Sequence, residues 1–135
     1  INWSRIVCQI VYYFYSYFKL QKDNLSFSVP TGNFGDIFAG YVAKKMGLPI
    51  DKLIVATNEN DILQRVINSG VYKPDTVKTS ITPSMDIQVA SNFERLLFYI
   101  LDENDQKVSM LMNDLSLKGS FNLDKEVVKK IKKDF

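Results

Sequence analysis

The stretch from Ser28 to Gly40, SVPTGNFGDIFAG, limits what the chain can fold into more than any other. Ahead of it, LSFSV alternates and is rich in strand formers until Pro30 stops it. Beyond it, Asp36 to Met46 places Ile37 with Tyr41, and Phe38 with Val42, four residues apart on helical faces, and Gly47 followed by Leu48-Pro49 supplies a stop. A second strand, KLIVATN, and a second helix over NDILQRVINSG, ending at Gly70, come next. Strand, helix, strand, helix in that order predicts a parallel sheet, because parallel neighbours need a crossover between them. The expected fold class is α/β.

The flanks read as helical. Ile6, Val7, Ile10, Val11, Phe14 and Phe18 recur on one broad face, so Ser4 to Leu20 is expected to be a helix buried on much of its circumference. VYKPDTVKTSITPSMDIQVA reads as a long loop, and SNFE at Ser91 to Glu94 as a capping box opening a helix through about Leu101. Further helices are expected near Asp105 to Ser116 and from Asp124 to the end, making the chain helix-rich toward its C-terminus. So few strands complete a sheet only with strands from elsewhere. Together with a start at Ile1, this gives the expectation of a piece of a longer protein: residues 1–70 the α/β part, and residues 71–135 a loop and helical part.

Composition narrows the function. The 135 residues are 46% hydrophobic and 24% charged with a net charge of +2, which is ordinary globular composition and implies no nucleic-acid partner. The lysines of DKEVVKKIKKDF fall in a terminal helix whose carboxyl end favours cations, and read as a solvated face. One cysteine, Cys8, and no histidine leave no material for a disulfide framework or a Cys/His metal site, and a reduced, cytoplasmic setting is the default. INWSRIVCQIVYYFYSYFKL is apolar, but Arg5, Gln9, Ser16 and Lys19 interrupt it, so no membrane span is expected. It lacks the basic lead and cleavage pattern of a secretory signal.

The corner itself carries the chemistry. The first backbone N–H groups of a helix have no partner within it and sit at the positive end of its macrodipole, so a strand ending just before them makes an anion site. Gly32 and Gly35 are expected to turn the chain with positive φ and to admit a ligand oxygen. Thr31 adds a hydroxyl donor, Asn33 a side-chain amide, and Asp36 a helix-start carboxylate. The same residues also make an ordinary strand-to-helix turn capped by Asp36. The G-x-x-G spacing matches neither the dinucleotide fingerprint nor the P-loop.

SVPTGNFGDIFAGYVAKKMGLP, preceded by INWSRI and followed by KLIVATNENDIL and SMDIQVASNFERL, resembles the carboxyl-proximal part of the threonine synthase family. The resemblance covers nearly all of the chain to about Phe98 and is less specific beyond. It implies a portion of a three-layer, parallel-sheet domain of the tryptophan synthase β-subunit type, which uses pyridoxal 5′-phosphate. It also implies that Gly32, Asn33, Phe34 and Gly35, flanked by Thr31 and Asp36, hold the cofactor phosphate. The family's Asn-x-x-Arg segment matches Asn2 through Arg5, so that Arg5 and Asn2, with the side chain of Asn33, face the phosphate of O-phospho-L-homoserine.

The implied reaction converts that substrate and water to L-threonine and phosphate. The family's Schiff-base lysine lies in a Phe-Lys-Asp-type segment absent from this sequence, so no catalytic residue is assigned here and the chain alone is expected to be inactive. Its partner is then the remainder of the parent chain. Asn58 and Asn60 are expected to cap the following helix, and Asp86 is a candidate for the site's edge that, as a loop carboxylate near two turn residues, is assigned no role. Two alternative readings are a non-catalytic threonine-synthase-like protein that binds a phosphorylated metabolite, and an unrelated α/β binding module whose corner holds a phosphate or carboxylate.

Overall fold

A computed structural model describes residues 2–135. Helix α1 (Trp3–Leu20) leads into strand β1 (Leu25–Pro30), helix α2 (Gly35–Lys45), strand β2 (Ile50–Ala56) and helix α3 (Ile62–Ser69). β1 and β2 pair in parallel, with Phe27 beside Leu53, Val29 beside Val55 and Pro30 beside Ala56. The α/β expectation holds: α2 is the crossover, and it buries Ile37, Phe38, Ala39, Tyr41 and Ala43 against the sheet and its neighbours.

α1 crosses α2 at Gly40, where a Cβ would stand 2.6 Å from the Tyr13 ring and 2.8 Å from a Leu53 methyl, so only glycine fits. The Tyr13 hydroxyl donates to the Asp36 carbonyl at 2.9 Å across the same contact. Burial, helped by the Asp36 charge, pushes the phenol well above its ordinary range. The expected burial of α1 is corrected here. Only Ile6 and Tyr13 are buried, with Ile10, Phe14 and Tyr17 partly so, while Val7, Val11, Tyr12, Tyr15 and Phe18 are exposed. One packed helix covers one stripe of another, and among the described residues α2 is the main partner of α1.

The region from Val71 to Ala90 is not all loop. Strand β3 (Val71–Tyr72) pairs antiparallel with β4 (Phe121–Asn122), and a single 3-10 turn spans Pro83–Met85. Two-residue strands are too short for alternation to reveal them. Tyr72 and Phe121 stack with ring centroids 4.7 Å apart, and Tyr72 also stacks with Phe93 at 5.5 Å. Helices α4 (Phe93–Ile100), α5 (Asp105–Lys118) and α6 (Lys125–Asp134) complete the chain. The capping box at Ser91 does not form: Asn92 holds the N-cap position of α4 with no side-chain cap bond.

One apolar cluster runs from Ile6 through α2, α3 and α4 to Ile131 of α6, joining residues 1–70 to residues 71–135. No helix among the described residues is long and apolar enough to cross a membrane.

Candidate functional site

The corner forms at the carboxyl end of β1. The Thr31 amide donates to the Ala56 carbonyl at 2.8 Å, extending the β1–β2 ladder by one bond. The Thr31 hydroxyl donates to the Val29 carbonyl at 2.6 Å, so the donor expected for a ligand is spent inside the protein.

The positive φ expected at the glycines falls instead on Phe34, at 64°. A non-glycine residue there costs on the order of 1–2 kcal/mol. Phe34 is fully buried, with its ring edge-on to Phe93 at 5.4 Å and against Phe135 at 5.5 Å, and this packing holds the backbone in place. The glycines serve close approach. A Cβ on Gly32 would lie 3.0 Å from the Ser84 carbonyl oxygen and 3.3 Å from Met85 Cα, and one on Gly35 would lie 3.3 Å from Asn92 Nδ2.

Among the described residues, the amides of Gly32, Asn33, Phe34, Gly35 and Asp36 donate to no protein acceptor, and the first bond of α2 runs from Phe38 N to Phe34 O at 3.1 Å. The run continues through Ile37 N, and its first five donors, Gly32 through Asp36, sit at the amino end of α2, the arrangement that binds an oxyanion. Asp36 lies in the first turn but makes no cap bond, and desolvation raises its carboxyl above the ordinary value.

These residues line a cleft of about 390 Å³. Its second wall is the start of α1, which contributes Asn2, Arg5, Ile6 and Gln9. Every residue assigned from the sequence to cofactor or substrate therefore borders one cavity, although Asn2 and Arg5 lie some thirty residues from the corner. The Asn2 side-chain oxygen caps α1, accepting from the Ser4 amide at 2.9 Å, which leaves its NH2 group for other partners. Arg5 is exposed and pairs with no carboxylate among the described residues.

The third wall is one that sequence reasoning missed: Ser84 and Met85 of the 3-10 turn, with Ser91 and Asn92 before α4. Asn92 donates twice to the Asn33 carbonyl, from its backbone N at 3.1 Å and from Nδ2 at 3.0 Å. Its Oδ1 is buried without a partner among the described residues.

Asn58 and Asn60 are not helix caps. The N-cap position of α3 is Asp61, and both asparagines instead reach Asp86, Nδ2 to Oδ1 at 2.7 Å and 3.2 Å respectively. Ser80 adds its hydroxyl at 2.6 Å and its amide at 2.8 Å to the same carboxylate. These donors, the Ser80 hydroxyl foremost, hold the Asp86 carboxyl below its ordinary pKa. No short-range signal links residues 58 and 86, so only the fold could reveal this pairing.

No protein-family model matches the chain. It is 50% identical over its whole length to threonine synthase of Saccharomyces cerevisiae, of which it spans 29%. The structure superposes along its full length on PLP-bound threonine synthase of Brucella melitensis with a TM-score of 0.96 and 51% identity, covering 30% of that chain. The chain is homologous to the threonine synthases. Human threonine synthase-like 2 is more distant, 37% identical over 97% of the chain, which covers 28% of it. The chain thus spans only about 30% of the length of these threonine synthases. The α/β resemblance read from TGNFGD and INWSR agrees with both comparisons.

Proposed function

We propose that this chain is the phosphate-holding part of a threonine synthase that uses pyridoxal 5′-phosphate and converts O-phospho-L-homoserine and water to L-threonine and phosphate. The observation that carries the reading is the run of unpartnered amides, Gly32 through Asp36, at the start of α2, facing a wall that carries Arg5. The residues fit the cofactor's phosphate: the donors are backbone groups on a rigid strand-to-helix junction, and Phe34 fixes them from the core side.

When bound, the cofactor supplies an electron sink for carbanion chemistry. The chain's own residues do the holding. The amides of Gly32, Asn33, Phe34, Gly35 and Asp36 grip its phosphate, with Thr31 fastening the corner to β2. The Arg5 guanidinium offers a planar fork to the substrate phosphate, joined by the side-chain amides of Asn2 and Asn33. No lysine of this sequence lies in a Phe-Lys-Asp-type segment, so the covalent attachment point belongs to the remainder of the protein and this chain alone does not turn substrate over. In this reading residues 1–70 form the cradle and residues 71–135 brace it. The lone, exposed Cys8 fits a cytoplasmic enzyme.

The test is Arg5→Ala in the full-length protein. Losing a charge-assisted contact of about 1.5–3 kcal/mol raises KM for the phosphorylated substrate roughly 10- to 100-fold and leaves the cofactor's absorbance unchanged. Loss of the cofactor instead would mean that Arg5 belongs to the cofactor's end of the cleft.

A further inference from the structure

The segment from Ser80 to Asp86 walls the cleft but has little core to hold it there. Ile81 is fully exposed, Thr82, Pro83 and Ser84 are exposed, and only the short 3-10 turn orders its backbone. Yet this backbone closes on Gly32 to the limit of contact, with the Ser84 carbonyl 3.0 Å from where a Cβ would stand. A segment without apolar anchorage keeps such a position only if polar tethers fix it.

The tethers converge on Asp86. Its carboxylate receives the Ser80 amide and hydroxyl, Asn58 Nδ2 and Asn60 Nδ2. Asn58 Nδ2 also reaches the Ser80 hydroxyl at 2.8 Å and the Thr82 hydroxyl at 2.9 Å. The Asn58 Oδ1 accepts from the Asn60 amide at 2.9 Å, which locks the turn just beyond β2. Both walls therefore hang from adjacent parallel strands: the corner continues β1, and the Ser84–Met85 wall is tied through Asp86 to Asn58, two residues past the end of β2.

We infer that Asp86 is a positioning residue, which through Asn58, Asn60 and Ser80 sets the height of the Ser84–Met85 backbone over Gly32 and with it the width of the anion cradle. This rests on the corner's being a phosphate cradle. Asp86 itself does not line the cleft. An amide in its place is the sharpest perturbation, because its NH2 group would meet one of the donors that the carboxylate now accepts. The wall would then drift away from Gly32, and the phosphate end of the site would open to water.

The test uses the full-length protein, with dissociation constants measured for pyridoxal 5′-phosphate and for pyridoxal, which lacks the phosphate. Asp86→Asn, and independently the milder Asn58→Ala, should weaken binding of the phosphorylated form about tenfold, as expected for one or two misplaced hydrogen bonds, and leave pyridoxal binding unchanged. A general loss of folding would weaken both ligands together, and that result overturns the positioning role. Gly32→Ala displaces the same wall, so Gly32→Ala/Asp86→Asn should bind little worse than the weaker single variant; fully multiplicative losses also overturn the role. If the unmodified protein does not favour the phosphorylated form, the cradle reading itself fails. If it does and both Asp86→Asn and Asn58→Ala keep that preference, only the positioning role fails.

Discussion

Gly32 and Gly35 stand three residues apart in one corner, yet they meet different neighbours. A methyl group at Gly32 meets backbone, the Ser84 carbonyl oxygen at 3.0 Å, whereas at Gly35 its nearest neighbour is the far end of a side chain, Asn92 Nδ2 at the longer distance of 3.3 Å. Gly32→Ala should therefore weaken binding of a phosphorylated ligand several-fold more than Gly35→Ala, a ranking that equilibrium titration of the two variants checks. Asp86 gives a second prediction at this scale. Its pKa is lower folded than unfolded, so the stabilisation it lends is fully present above the ordinary carboxylate value of roughly 3.9 and disappears as pH falls through the lower, folded value. Hydrogen exchange at the Ser80 amide, which donates to Asp86, should show protection that does not change between neutral pH and about pH 5 and is lost only in stronger acid. The sequence made the anion corner legible because two glycines, a strand end and a helix start are local signals. The left-handed Phe34 was hidden because its conformation is held by Phe93 and Phe135, which lie far along the chain.

At the scale of elements, the order of β1, α2, β2 and α3 was readable from periodicity alone, and β2 simply begins two residues earlier than its apolar run proposed. What periodicity misjudged is coverage. It marked the apolar face of α1 without marking which part another element would bury. It also read the lysines of α6 as one solvated face, and the structure adds a cation from outside that helix. Lys52 of β2 donates to the carbonyls of Lys132 and Lys133 at 3.1 and 2.9 Å, at the negative end of α6. Lys52→Met keeps the stem and removes the charge, so it should fray the last turn of α6. The cost should be about 0.3–1 kcal/mol, seen as faster amide exchange over Lys132 to Phe135 with little change elsewhere.

At the scale of the whole molecule, α6 closes the core. Ile131 is fully buried, and Phe135 packs on both Phe34 of the corner and Tyr41 of α2. The last residues of the chain thus support the first turn of the site. Ile131→Ala should cost about 2–5 kcal/mol in urea unfolding, and the same variant should loosen phosphate binding because Phe135 loses its footing beneath Phe34.

The sequence by itself determined the α/β order and the parallel pairing, and marked the corner as a candidate anion site, because these signals lie within one turn or one strand of each other. Tertiary structure alone decided that Asn2 and Arg5 border the same cleft as that corner, that Asn58 bonds Asp86 beside the Ser84–Met85 wall, and how closely the Ser84 backbone approaches Gly32. Those facts depend on groups 22 to 59 residues apart in the chain, such as Asn58 with Ser80 and Asn33 with Asn92, and no local pattern encodes a contact at that range.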